Sequence, residues 1–218
     1  ADNSKIKKIT GDIRDIENVK KSMKGHDAVI HLACISNDPS FELNPNLGKS
    51  INLYAFEPMV KAARELNIKR FIYASSSSVY GIKNEKNVHE GMSLEPLTDY
   101  SKFKAECESI LSRYNTEDFT TVTIRPATVC GYSTRQRLDV VVNILTNLGY
   151  HKRKITVFGG DQLRPNLHIK DMIQSYYLVL KANKSLISNQ IFNVGSQNQK
   201  VIDLANITKK IIGEDVIL

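Results

Sequence analysis

A phenol and an ammonium stand four residues apart in Tyr100-Ser-Lys-Phe-Lys104, and on a helix residues i and i+4 share a face. A cation held beside the phenol favours the phenolate and lowers a tyrosine pKa from about 10 toward the range of a working general base. Such a pair can move a proton on or off a hydroxyl. Tyr and Lys are ordinary helix residues, so the pair gains its meaning from what precedes it. Upstream, Phe71-Ile-Tyr-Ala-Ser-Ser-Ser-Ser-Val-Tyr-Gly81 is an apolar run that stops in four serines. It reads as a buried parallel strand delivering hydroxyls at its C-terminal end. In an open α/β sheet, ligands bind in the crevice outside those ends.

The elements that must carry these groups alternate. Strands are expected over 6–10, 28–32, 70–74, 120–124, 155–157 and 191–194, and helices over 16–23, 47–66, 98–114, 140–148, 170–181 and 201–212. The alternation predicts a Rossmann-like, doubly wound parallel α/β sheet with a small C-terminal α/β lobe. In the helix of Tyr100, the residues Phe103, Cys107, Ile110, Leu111 and Tyr114 recur at helical spacing and mark a core face. Pro58 interrupts the second helix and predicts a kink there. The loop 35–45, dense in Asn, Asp, Pro and Ser, reads as the rim of a site.

Composition bounds the function classes. With 218 residues, 41% hydrophobic and 24% charged, the chain can bury one good core and room remains for a small second lobe. Cys34, Cys107 and Cys130 show no metal-type spacing, and an odd count argues against a disulfide framework; a reducing cytoplasm is the expected setting. No apolar run approaches the roughly 20 residues of a membrane span, and no signal-peptide pattern opens the chain. The formal charge of +7 comes from lysines spread along the chain without interleaved aromatics, which argues against a nucleic-acid platform. A basic surface instead favours an anionic substrate such as a pyrophosphate.

Seven blocks in order, Gly11-Asp-Ile-Arg-Asp15, His31-Leu-Ala33, Ser75-Ser-Ser-Ser-Val-Tyr-Gly81, Tyr100 to Lys104, Arg125-Pro-Ala-Thr-Val-Cys-Gly131, Ile155-Thr-Val-Phe-Gly159 and Phe192-Asn-Val-Gly195, closely resemble the extended short-chain dehydrogenase/reductase superfamily, in its NAD-dependent epimerase/dehydratase branch. The resemblance implies an NAD cofactor, a nucleotide-diphosphate sugar as substrate and a homodimer, with no nucleic acid, membrane or metal. It implies a partial dinucleotide-binding domain over 1–130 and a substrate lobe over 131–218, with room for the strand 191–194 and its neighbours to return to the first. The glycine-rich turn that cradles the cofactor pyrophosphate in this family is not in the chain, so it is expected to be an internal piece of a longer protein or to lack its first βαβ unit. The choice between NAD and NADP stays open with it.

Carried over by position, the resemblance implies that Ser76, Tyr100 and Lys104 are catalytic. Asp12, Ile13, Leu32, Ala33, Cys34, Asn52, Ala74, Tyr100, Lys104 and Pro126 would contact the cofactor. Ser76, Ser77, Thr128, Phe158 and Arg164 would contact the substrate. Plainer readings stand beside some of these. Asp12 also suits an N-cap of the first helix, Asn52 a polar filler and Arg164 a surface arginine. Dehydratases of the branch carry Asp-Glu after the catalytic hydroxyl, where this chain has Ser77-Ser78, so water elimination is not expected. The expected reaction is epimerisation at C4 through a transient keto sugar. A net NAD(P)H-dependent reductase and a non-catalytic dinucleotide sensor are the alternatives. Thr128, Cys130 and Pro165-Asn166 depart from the family pattern and leave the sugar and nucleotide open.

Overall fold

The computed structural model describes residues 5–36, 38–85 and 87–218. In chain order its elements are α1 (Ile16–Met23), β1 (Ala28–His31), α2 (Asp38–Glu42), α3 (Pro45–Lys49), a π-helical turn (Ser50–Tyr54), α4 (Phe56–Glu65), β2 (Arg70–Ala74), a 3₁₀ turn (Ser77–Tyr80), α5 (Asp99–Ser112), β3 (Thr120–Pro126), β4 (Thr128–Cys130), α6 (Val141–Lys152), β5 (Leu163–His168), α7 (Ile169–Lys181), α8 (Lys184–Ile187), β6 (Gln190–Val194), β7 (Asn198–Lys200) and α9 (Val201–Ile212). Contacts divide the chain into one unit of Ala1–Ile124 with Val179–Phe192, and a second of Arg125–Leu178 with Asn193–Leu218.

The first unit is built on a sheet of order β1-β2-β3-β6. β1 pairs β2 in parallel, Ala28 opposite Arg70, and β2 pairs β3 in parallel, Arg70 opposite Thr120. Phe71, Ile72 and Tyr73 are all buried, which is what an apolar run without alternation means in a sheet covered on both faces. Helices α4 and α5 bring Phe56, Met59, Val60, Cys107 and Leu111 to the core with Phe71, Tyr73 and Phe119. Arg70 closes one end: its guanidinium donates to the carbonyls of Val179, Leu180 and Ala182, at and just past the end of α7, where a cation also meets the negative end of the helix dipole.

Residues 6–10 form no strand: Ile6 is 72% exposed and Ile9 53%, and among the described residues no strand lies beside them to take up their backbone groups. The stretch 47–66 is not one helix kinked at Pro58 but α3, a π turn and α4. The widened turn is seen in Ala55 N donating to Ser50 O at 3.1 Å. Pro58 is the third residue of α4, where its missing N–H is one of the helix's orphans. The turn preceding it, whose carbonyls a proline ring would crowd, is the one that opens. The supposed loop 35–45 holds α2 and the start of α3, the latter capped by Asn44, whose side chain accepts from Leu47 N at 3.0 Å.

The second unit has a sheet of order β4-β5-β7, with β4 parallel to β5 and β7 antiparallel to it. Residues 155–157 are not a strand. The segment is held by an isolated bridge from Lys154 to Ile217 and by Ile155 N on Ile217 O at 2.8 Å. Ile155 instead fills a core with Leu145, Val201, Leu204, Ala205 and Val216 between α6 and α9. A Cβ at Gly149 would stand 2.8 Å from Ile212 Cδ1, so glycine permits this close helix approach. No helix of the described residues is long and apolar enough to cross a membrane.

Candidate active site

The serines leave β2 on a sharp turn. Ser75 is buried, its N–H on Ile124 O at 2.8 Å, and Ser76 follows in extended backbone as the N-cap of the 3₁₀ turn. Ser76 Oγ accepts from Ser78 N at 3.2 Å and from Ser78 Oγ at 2.8 Å. Ser76 and Ser77 are half-buried and Ser78 is exposed. The turn ends on Gly81, at φ +70°, where a Cβ would stand 2.1 Å from the Glu95 carbonyl oxygen. Only glycine fits there without moving backbone.

α5 brings the phenol and the ammonium. Its first turn is fixed by a reciprocal cap in which Ser101 N donates to Thr98 Oγ1 at 3.3 Å and Thr98 N to Ser101 Oγ at 3.1 Å. Tyr100 is therefore the second helical residue, half-buried. Lys104 is 5% exposed. Its Nζ donates to Ala74 O at 2.5 Å and lies 5.7 Å from the centre of the Tyr100 ring and 4.9 Å from that of Tyr73. Burial pushes the Lys104 ammonium below its ordinary pKa, opposed by the nearby thiol of Cys34. An ammonium has three donors. With Ala74 O taking one, Lys104 suits the diol of a ribose at the C-terminal ends of β1 and β2, which is the fit a dinucleotide asks of this chain.

Sequence reasoning did not foresee the group behind this pair. His31 ends β1 at 7% exposure, stacked on Tyr73 at 5.9 Å and tilted against Phe56 at 5.5 Å. Burial, with the field of Lys104, pulls its pKa down to about 4. Beyond it Leu32 and Ala33 are exposed and Cys34 is half-buried. Asn52, on the π turn, is buried and clasps the next residue: Ile35 N donates to Asn52 Oδ1 at 2.8 Å and Asn52 Nδ2 to Ile35 O at 3.0 Å. Its side chain thus shapes the segment after β1. Glu108, one turn beyond Lys104, is also buried and accepts from Ser75 Oγ; an acid four residues after the lysine on an amphipathic helix was the readable signal.

Asp12 is not the cap of α1. Asp15 is, accepting from Asn18 N at 3.2 Å. Asp12 is exposed and bound by Arg14, whose Nε donates at 3.0 Å to both carboxylate oxygens; these hydrogen bonds hold its pKa down at about 2. Ile13 packs on the first unit's core, and Pro126 ends β3 half-buried. In the second unit Thr128 faces Asn166 across β4 and β5, Phe158 is 82% exposed, and Arg164 is exposed on β5 opposite Gln199. Arg164 lies on β5, in a stretch for which no strand or helix was expected.

The chain is similar to several known proteins. The chain is 30% identical over 216 residues to dTDP-D-glucose 4,6-dehydratase of Homo sapiens, covering 94% of this chain and 59% of that one. It is 26% identical over 231 residues to UDP-glucose 4-epimerase of Lactobacillus helveticus, covering 97% and 70%. A UDP-glucuronic acid 4-epimerase variant from Bacillus cereus, in complex with UDP-4-deoxy-4-fluoro-glucuronic acid and NAD, superposes with a TM-score of 0.82 at 26% identity over 96% of this chain and 66% of that one. The chain spans about six-tenths of the length of the first of these relatives. Its parallel sheet, its serine turn and its buried Lys104 one turn from Tyr100 accompany a match over residues 1–195 to one family: the chain belongs to the NAD dependent epimerase/dehydratase family.

Proposed function

We propose that this protein is an NAD-dependent epimerase of a nucleotide-diphosphate sugar, acting at C4, with Ser76, Tyr100 and Lys104 as its catalytic residues. The observation that carries the reading is the buried Lys104 ammonium held on Ala74 O and beside the Tyr100 ring. Bound NAD supplies a reversible acceptor for a hydride from the sugar carbon. Tyr100 takes the proton of the reacting hydroxyl and returns it, and Ser76 hydrogen-bonds the same oxygen. Lys104 holds the nicotinamide ribose and provides the positive field that favours the phenolate.

The first unit is then the dinucleotide-binding part, with Ile13, Leu32, Ala33, Cys34 and Ala74 along the cofactor, Asp12 at the adenine and Asn52 shaping the wall; Pro126, at the end of β3, is a further proposed cofactor contact. The substrate contacts we assign are Arg164 for the pyrophosphate, by charge-assisted and bidentate contact, and Ser77, Thr128 and Phe158 for sugar and base. The similarity to a 4,6-dehydratase gives elimination of water as the second reading. Against it, elimination needs an acid and a base beside the reacting hydroxyl, and Ser76 is followed by Ser77 and Ser78.

The acid–base assignment is tested by Tyr100→Phe, which keeps ring packing and removes the proton-transfer group. Turnover should fall by about 10²–10⁴ with unchanged NAD affinity, and Ser76→Ala should cost less because the base remains. Unchanged turnover in Tyr100→Phe removes Tyr100 from the mechanism.

A further inference from the structure

Two residues one turn apart on α5 hold two consecutive residues at the end of β2. Lys104 Nζ bonds Ala74 O at 2.5 Å, and Glu108 accepts from Ser75 Oγ. Both side chains are nearly dry, Lys104 at 5% and Glu108 at 6% exposure, and Ser75 is at 4%. Ser75 is further fixed by its N–H on Ile124 O at 2.8 Å. Ser76 follows this anchored pair directly, while Tyr100 lies one turn before Lys104 on the same helix face. Its helix neighbours Cys107 and Leu111 are fully buried, so Glu108 leaves bulk water together with them. A carboxyl in such a place costs stability unless it is hydrogen-bonded. Glu108 also lines a cavity of about 30 Å³ with Ser112, Thr121 and Thr123, a polar space large enough for one water.

We propose that Glu108 is a positioning residue: acting through Ser75, it holds the end of β2 in register with α5 so that Ser76 and Tyr100 address one substrate oxygen. The proposal rests on the acid–base roles given above to Ser76 and Tyr100. It differs from a purely stabilising role because an acceptor is needed at 108, whereas volume and charge are not.

The test compares Glu108→Gln, Glu108→Leu, Ser75→Ala and the double variant Ser75→Ala/Glu108→Leu in the full chain, by hydrogen exchange and by kinetics. Amides of residues 75–81 should exchange about 10-fold faster in Glu108→Leu and Ser75→Ala, and at the wild-type rate in Glu108→Gln. The kcat should fall about 10-fold in Glu108→Leu with KM unchanged, and return to within about 3-fold of wild type in Glu108→Gln, since small misplacements of reacting groups act on kcat. The double variant should be no worse than Glu108→Leu. Wild-type exchange in Ser75→Ala, a Glu108→Gln as defective as Glu108→Leu, or multiplying losses in the double variant overturns the proposal. If Glu108→Leu does not fold, Ser75→Ala against Glu108→Gln decides it. A wild-type protein without nucleotide-sugar turnover contradicts the proposed function instead, while the exchange comparison still decides the tie.

Discussion

Around Tyr73 the ionisation of side chains is governed by burial before charge pairing. Burial raises the Tyr73 phenol well above its usual range, raises Cys107 to about 12, lowers Lys104 and, with the Lys104 field, lowers His31 to about 4. For His31 the consequence is a pH dependence of stability. The native pKa is below the unfolded value of 6.5, so between these limits the unfolded chain binds a proton that the native one does not. Stability is therefore full above about 6.5 and falls as pH drops toward about 4, by a total on the order of 3 kcal/mol. The carboxylates whose pKa values are lowered, Asp12 and Glu57 among them, lose their contribution mainly below that window, from 3.8 and 4.5 downward. Phenylalanine would suit the aromatic surroundings of Phe56, Phe71 and Tyr73. Urea midpoints measured from pH 7 to pH 4.5 should fall steeply in the wild type and much less in His31→Phe. Equal slopes in the two proteins would mean that His31 is not the group responsible.

Elements with a clear period were legible from sequence. Ile16–Met23, Arg70–Ala74 and Val201–Ile212 have the bounds expected of them, because an apolar face or a short apolar run ends at a recognisable cap or turn. What was not legible depends on partners remote in sequence. Residues 6–10 have strand-like composition but no neighbouring strand among the described residues, and 155–157 gave its apolar Ile155 to a core between helices. Asp12 was a plausible cap of α1, yet Asp15 takes that place, and only the bond from Asn18 N shows it. In the candidate site, Tyr100 and Lys104 could be paired by spacing, yet the clasp of Asn52 on Ile35 spans 17 positions and has no local signature. That clasp is open to direct measurement. Asn52→Ala leaves the Ile35 amide and carbonyl without their partner, and should lower stability by about 1–3 kcal/mol in denaturant unfolding, with faster exchange of the Ile35 amide. A wild-type exchange rate at Ile35 would show that the backbone there is held by other means.

At the scale of the whole molecule, the first unit carries a buried lysine, a phenol and a serine turn at the ends of parallel strands, and the second carries the exposed Arg164. A net charge of +7 suits attraction of a diphosphate. The family is one of epimerases and dehydratases, and the relatives include one of each. Removing water needs an acid and a base beside the reacting hydroxyl, and the proposed catalytic Ser76 is followed by Ser77 and Ser78. The most direct measurement is to incubate the protein with NAD and UDP-, GDP-, dTDP- or CDP-sugars in turn and identify the sugar product by NMR. A C4 epimer at equilibrium with its substrate and no net accumulation of reduced cofactor are expected; a 4-keto-6-deoxy sugar formed by loss of water would contradict the proposed epimerase.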